Sequence, residues 1–98
     1  MPFLISMKDK PGSAALRQAT REAHLEYIAP YTDRLLAGGG FLNDDGSVGA
    51  GGIIILDTDD REEAELFAAN DPYAKAGLFE SVEITRWRKV FFNGERIS

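Results

Sequence analysis

The chain has 98 residues, of which 44% are hydrophobic, and 11 Lys and Arg stand against 16 Asp and Glu, for a net charge of -5. This length predicts a single domain, residues 1–98, and the acidic balance argues against a nucleic-acid partner, whose phosphates bind basic side chains. Because cysteine is absent and the apolar start ends at Ile5, we expect no disulfide, signal peptide or membrane contact, and a cytoplasmic location.

The first half of the chain predicts a strand followed by a long helix. Phe3 to Lys8 is a short apolar run closed by the turn residues 9–12. The helix is predicted from Ser13, a plausible N-cap, to about Leu36. Pro30 removes one helical hydrogen bond, so we expect a kink or pause near Ala29. The glycines 38–40 are expected to end the helix.

The second half predicts a hairpin, a helix and a final strand. Phe41–Leu42 and Gly52–Leu56 flank a turn-rich insert, residues 43–51, and are expected to pair. A second helix is expected from Asp59, with Glu62 in its first turn and an inner face made by Ala64, Phe67 and Ala68. Residues 82–92 are rich in β-branched and aromatic side chains, which favours a last strand.

This order, strand, helix, strand, strand, helix, strand, predicts a ferredoxin-like α+β fold with an antiparallel sheet covered by helices on one face. The run Ile53 to Leu56 has no alternation, and residues 82–92 also carry apolar side chains on both sides. The uncovered face therefore needs a partner, and a second copy of the chain is the simplest one. We expect a homodimer packed through the sheet faces.

His24 is the only histidine, and it is the only side chain with an unperturbed pKa near neutral pH. Spacings of three and four residues place it on the apolar face of the first helix. The residues predicted to share that face are Leu16, Thr20, Tyr27, Ile28, Tyr31 and Leu35. A satisfied, partly buried histidine and a catalytic base are both compatible with this position.

Asp71 has an ordinary structural explanation. Aspartate before proline is a good N-cap with Pro72 at the first helical position, and Gly77 would end that short helix. From the residues alone, this capping role is the favoured interpretation.

Two segments together resemble a known family. The first is Arg21-x-x-His24-Leu25 on the helix. The second runs from Asp71-Pro72-Tyr73 through Ala76-Gly77-Leu78-Phe79-Glu80 to Trp87-Arg88-Lys89-Val90-Phe91. In order and register they resemble the YciI-like (YCII-related) family over nearly the whole chain, and the second segment is the more specific part.

The resemblance implies a ferredoxin-like protomer assembled as a dimeric α+β barrel. It also implies a His-Asp catalytic dyad, whose positions here are His24 and Asp71. A relative that removes chloride from a hydroxylated chloroaromatic indicates that such a site can support lyase chemistry. This chain departs from shorter members at Pro30 and in the glycine-rich insert 38–52, which is either an ordered wall of the pocket or a mobile lid.

Four further residues are candidates for binding substrate. Arg17 and Arg21 lie one turn apart near His24 and can bind an anionic group, or can form the solvated edge of the helix. Tyr27 and Tyr73 can line a pocket for a small ring, or can serve in packing. No residue pattern matches a metal, dinucleotide or phosphate-loop site, so we expect no metal and no organic cofactor.

Two functions remain open from the sequence. One is a small cofactor-independent lyase or isomerase, acting through His24 and Asp71 on a small molecule such as an aromatic or enolisable compound. The other is a non-catalytic dimeric module that binds a small ligand or another protein, with both residues serving structure.

Overall fold

Four strands form one antiparallel sheet in the computed structural model, which describes residues 1–98. They are β1 (Phe3–Asp9), β2 (Leu35–Leu42), β3 (Val48–Leu56) and β4 (Phe79–Arg86). Their order across the sheet is β2-β3-β1-β4. The helices that connect them are α1 (Ala14–Ile28), a 3-10 helix (Ala29–Arg34), α2 (Arg61–Asn70) and α3 (Pro72–Lys75). The predicted ferredoxin-like α+β protomer is confirmed.

The core lies between the sheet and the helices. Alternation along β1 places Phe3, Ile5 and Met7 on the helix-facing side, where all three are buried. The α2 helix contributes the predicted inner face of Ala64, Phe67 and Ala68 to the same cluster. The N-cap of this helix lies one residue later than predicted, because the carboxylate that accepts from the Glu62 amide, at 3.0 Å, belongs to Asp60.

The first helix is shorter than predicted. It ends at Ile28 and continues as the 3-10 helix Ala29–Arg34, so the pause expected from Pro30 is confirmed. The glycines 38–40 do not end a helix: they lie inside β2, which pairs with β3 from Leu35 onward. Pairing along the hairpin has overridden the local pattern. No helix combines the length and the apolar character needed to cross a membrane.

The last strand is also shorter than predicted. β4 ends at Arg86, and the Trp87 amide donates to the Pro2 carbonyl at 2.9 Å as the chain leaves the sheet. A separate hairpin follows, made by β5 (Phe91–Phe92) and β6 (Glu95–Arg96). Its two-residue turn, Asn93-Gly94, has positive φ at both positions, as a type I′ turn requires.

The second side of the sheet carries no helix, and its composition varies across the strands. In the observed register, Leu4 of β1 lies beside Ile55 of β3, and Ile53 follows on the same side. The corresponding positions of β4 are polar, namely Ser81, Glu83 and Thr85. The apolar part of this open side therefore lies on β1 and β3.

Candidate functional site

A cavity of about 670 Å³ lies between α1 and the β2-β3 side of the sheet. Of its 21 lining residues, 12 are hydrophobic, as is usual for sites that bind small molecules. The charged side chains at its wall are Arg17 and Arg21, and no aspartate or glutamate lines it, although the chain is acidic overall. The cavity therefore suits a small molecule that carries a negative or electron-rich group.

His24 and Asp71 meet at the wall of this cavity. The Nδ1 atom of His24 lies 2.9 Å from Oδ2 and 3.0 Å from Oδ1 of Asp71. The Asp71 carboxylate is 1% exposed, and its Oδ1 also accepts a hydrogen bond of 2.9 Å from the Tyr73 amide. The capping role predicted for Asp71 is thus confirmed, and the same carboxylate contacts the histidine.

This geometry determines which nitrogen of His24 is available. An ionised carboxylate only accepts hydrogen bonds, so Nδ1 carries the hydrogen that faces Asp71. In a neutral imidazole the lone pair is then on Nε2. Because His24 lines the cavity, Nε2 is the atom that can take a proton from a bound molecule.

Tyr73 supports the imidazole from its flat side. Its ring is buried and stacks on His24 with the centroids 4.2 Å apart and the planes 17° from parallel. Burial raises the pKa of the Tyr73 hydroxyl above its ordinary value, although the positive charge of Arg17 opposes that shift. Tyr73 is both a buried packing residue and one of the residues that line the cavity.

The two predicted arginines have different surroundings. Arg17 Nε donates to Oδ2 of Asp9 at 2.6 Å, and its Nη2 donates to Oδ1 at 3.0 Å. This paired hydrogen bond to the buried Asp9 raises the pKa of Arg17 further above its ordinary value. Arg21 makes no ion pair and lines the same cavity. Arg21 is therefore the arginine whose guanidinium is available to a ligand.

Tyr27 does not line this cavity. Its hydroxyl donates to the Phe67 carbonyl at 2.9 Å, and its ring contacts those of Tyr31 and Phe67 in the core between α1 and α2. Burial raises the pKa of this hydroxyl to about 12. The predicted apolar stripe is wrong at this position. The side of α1 that carries Tyr27 packs against α2, and the neighbouring side, which carries Arg17, Arg21 and His24, faces the cavity.

Two features of the site escaped the sequence analysis. The sequence predicts Asp9 in a turn, but Asp9 continues the buried alternation of β1 and is 4% exposed. That alternation, Phe3, Ile5, Met7, Asp9, was the available signal. The glycines 38–40 of β2 form part of the cavity wall, and their position depends on long-range pairing that no local pattern reveals.

The glycine-rich insert forms the ends of β2 and β3 and a short turn between them. In that turn the Asp45 carboxylate accepts from the Ser47 amide and hydroxyl at 2.9 and 2.6 Å, which lowers the pKa of Asp45. Phe41, Leu42 and Val48 of the hairpin contribute to the cavity wall. No group of three histidine, aspartate or glutamate side chains is arranged to hold a metal ion.

Comparison with known proteins agrees with this architecture. The family model described as YCII-related domain matches residues 1–88. Protein YciI of Escherichia coli O6:H1 is 35% identical over 98 residues, covering 93% of this chain and all of that protein, and an uncharacterized protein of Haemophilus influenzae is 31% identical with the same coverage. A solved structure of 5-chloro-2-hydroxyhydroquinone dehydrochlorinase from Burkholderia phenoliruptrix AC1100, in complex with 2,5-dihydroxybenzoquinone, is 36% identical with a TM-score of 0.82, covering 90% of this chain and 94% of that one.

Proposed function

This chain belongs to the family of YCII-related domains, and on that premise we propose that it is a small enzyme of the lyase or isomerase type. The observation that carries the proposal is the buried Asp71 holding His24 at the wall of a largely apolar cavity. The similar dehydrochlorinase acts on a small hydroxylated ring, which supports substrates of that kind here.

In this proposal His24 is the general base. Its Nε2 takes a proton from a ring hydroxyl or from a carbon next to a carbonyl group. The electron pair left behind forms a C=O or C=C bond. In the elimination of chloride from a ring, the carbon that bears the chlorine first takes a proton, and removal of a second hydroxyl proton then expels chloride with its bonding pair, so that HCl is lost overall. In an isomerisation the proton returns to another carbon. A base of this kind contributes about 10² to 10⁴ in rate.

Asp71 orients the base and stabilises its charged form. Hydrogen bonding to Nδ1 selects the tautomer with the free lone pair on Nε2. When Nε2 takes a proton, the imidazolium is paired with a buried carboxylate rather than left uncompensated. Tyr73, stacked on the ring, restricts its rotation. These contacts are made before substrate binds, so little reorganisation is needed during the reaction.

Arg21 and the apolar wall account for substrate binding. The unpaired guanidinium of Arg21 can hold a phenolate or enolate oxygen, whose negative charge grows as the proton leaves. Leu25 and Ile28, on the same face of α1, supply apolar surface for the ring. The proposed substrates are therefore small hydroxylated aromatic or enolisable compounds.

The test is a proton-exchange and elimination assay under argon. Hydroxyhydroquinone and 5-chloro-2-hydroxyhydroquinone are incubated with the enzyme in D₂O, ring protons are followed by NMR, and chloride is measured by ion chromatography. We expect the wild-type protein to accelerate ring-proton exchange or chloride release. The His24→Ala and Asp71→Asn variants should lower the rate by about 10² or more.

Asp60→Asn is the matched control, because Asp60 is also an aspartate N-cap but belongs to α2 and does not line the cavity. Its rate should stay within about threefold of wild type. Binding of these compounds with neither exchange nor chloride release, or full activity in His24→Ala, would favour the non-catalytic module and contradict the proposal.

A further inference from the structure

Three consecutive glycines, Gly38 to Gly40, lie in the middle of β2. Glycine inside a strand is unfavourable, because it loses the most conformational freedom on folding and has no side chain to pack. Glycines at such positions usually serve a backbone conformation, a close approach of another chain segment, or space for a ligand. The structure allows these reasons to be tested separately.

Backbone conformation does not require glycine at these positions. Five glycines of the chain have positive φ, and Gly38, Gly39 and Gly40 are not among them. Gly51, opposite in the sheet, is one of the five, with φ of 135°. Other residue types can therefore adopt the backbone conformation of the β2 glycines.

Close packing does not require them either. A Cβ atom on Gly38 would lie 3.6 Å from Cγ1 of Ile54, and one on Gly40 would lie 3.7 Å from the Gly51 carbonyl oxygen, both ordinary contact distances. At Gly52 the same atom would come within 2.4 Å of the Gly39 carbonyl oxygen. Gly52 is thus sterically required, whereas Gly38 and Gly40 are not.

The remaining reason for these glycines is space for a ligand in the cavity. Gly38 pairs with Ile54 and Gly40 with Gly52, on the side of the sheet that faces α1. Both glycines line the cavity whose opposite wall carries His24. Gly52 lies between these two glycines and the core. In this part of the sheet only backbone atoms face the helix, so the space that side chains would otherwise fill is open.

We propose that Gly38 and Gly40 are specificity-determining residues that admit planar ring compounds, including fused two-ring hydroxyquinones, onto the backbone of β2. This inference rests on the proposed function, which places the reacting ring near His24. A volume of about 670 Å³ lies well inside the range of ligand sites for molecules larger than a single ring. A larger side chain substituted at either position would project into the cavity and shorten it.

Two quinone probes test the inference through binding alone. They are 2,5-dihydroxybenzoquinone, with one ring, and 2-hydroxy-1,4-naphthoquinone, with two, each titrated by its visible absorbance. We expect the wild-type protein to bind both. Gly38→Val and Gly40→Val should weaken the two-ring probe by about tenfold or more, with the one-ring probe within about threefold of wild type.

Ala37→Val is the matched control, since Ala37 also belongs to β2 but pairs with Ile55, is exposed and does not line the cavity. Affinity for both probes should be unchanged in this variant. Gly38→Ala and Gly40→Ala provide a smaller change should valine prevent folding, and their melting temperatures should equal or exceed that of wild type.

Each alternative result has a distinct meaning. Lower melting temperatures in both alanine variants would assign the glycines to folding and overturn the inference. Equal weakening of both probes, or no binding of either to the wild-type protein, would also overturn it. Binding of both probes without turnover that depends on His24 would reject the proposed function and leave the specificity assignment in place.

Discussion

Arg17 and Asp9 form an ion pair beneath the candidate site, with the Asp9 carboxylate 4% exposed. The guanidinium also lies 4.6 Å from the centroid of the Tyr73 ring, which in turn stacks on His24. The pair thus supports one side of the tyrosine that holds the imidazole. Arg17, predicted to bind substrate, is already engaged with Asp9.

Removing one member of this pair should be costly for stability. Arg17→Met leaves a buried carboxylate without a partner, and we expect a loss of about 3–5 kcal/mol in the free energy of unfolding. In Asp9→Leu/Arg17→Met both charges are absent, so most of that loss should be recovered. Urea denaturation monitored by circular dichroism measures the three proteins, and a double variant as unstable as Arg17→Met would contradict this account.

At the scale of single residues, the sequence predicted the two hydrogen-bonded residues of the site better than the residues that pack around them. His24 and Asp71 were named from their chemistry and from a motif, and they are in hydrogen-bond contact. Tyr27 was misassigned because a stripe of three- and four-residue steps is too broad to separate the cavity side of α1 from its α2 side. Asp9 was missed because its position after a strand also suits a turn.

At the scale of elements, α3 is a four-residue helix whose start depends on Asp71. Because asparagine is about as good an N-cap as aspartate, Asp71→Asn should keep the helix, and its cost in the free energy of unfolding should be limited to the weakened hydrogen bond with His24, about 0.5–1.5 kcal/mol. Asp71→Ala should cost about 0.5–2 kcal/mol more than the asparagine variant, since the Tyr73 amide also loses its acceptor.

The comparison separates the capping role of Asp71 from its role beside His24. Both variants should lose turnover, whereas the alanine variant should lose more stability than the asparagine variant in urea denaturation. Equal destabilisation by asparagine and alanine would mean that the negative charge beside His24, rather than the cap, dominates the contribution of Asp71 to folding.

The elements that were predicted well have strong local signals. Pro30 interrupts α1 because proline lacks the amide hydrogen, and Asp-Pro begins α3. β2 was not predicted in full, since a run of glycine has no strand preference and its pairing with β3 is the deciding interaction. The Asn93-Gly94 turn is a usable hairpin signal directly after residues 82–92, which were predicted as one strand.

At the scale of the whole molecule, the feature that concerns assembly is the side of the sheet that carries no helix. An antiparallel sheet that faces water on one side usually alternates apolar and polar residues. β4 follows that rule on its open side, with Ser81, Glu83 and Thr85. β1 and β3 depart from it, with the partly buried Leu4 and Ile53 on either side of Ile55, which is already 8% exposed in the protomer. This apolar part is where we expect a second copy of the chain to pack.

The expected homodimer should sediment at micromolar concentration with twice the 10.8 kDa mass of the chain. Leu4→Lys places a charge at the centre of the proposed contact, where its desolvation is uncompensated, and should shift the protein toward monomer. Leu66→Lys is the matched control, because this leucine of α2 is 54% exposed and lies away from the open side. A monomeric wild-type protein, or a Leu4→Lys variant that remains dimeric, would show that the apolar residues of β1 and β3 are not a dimer interface.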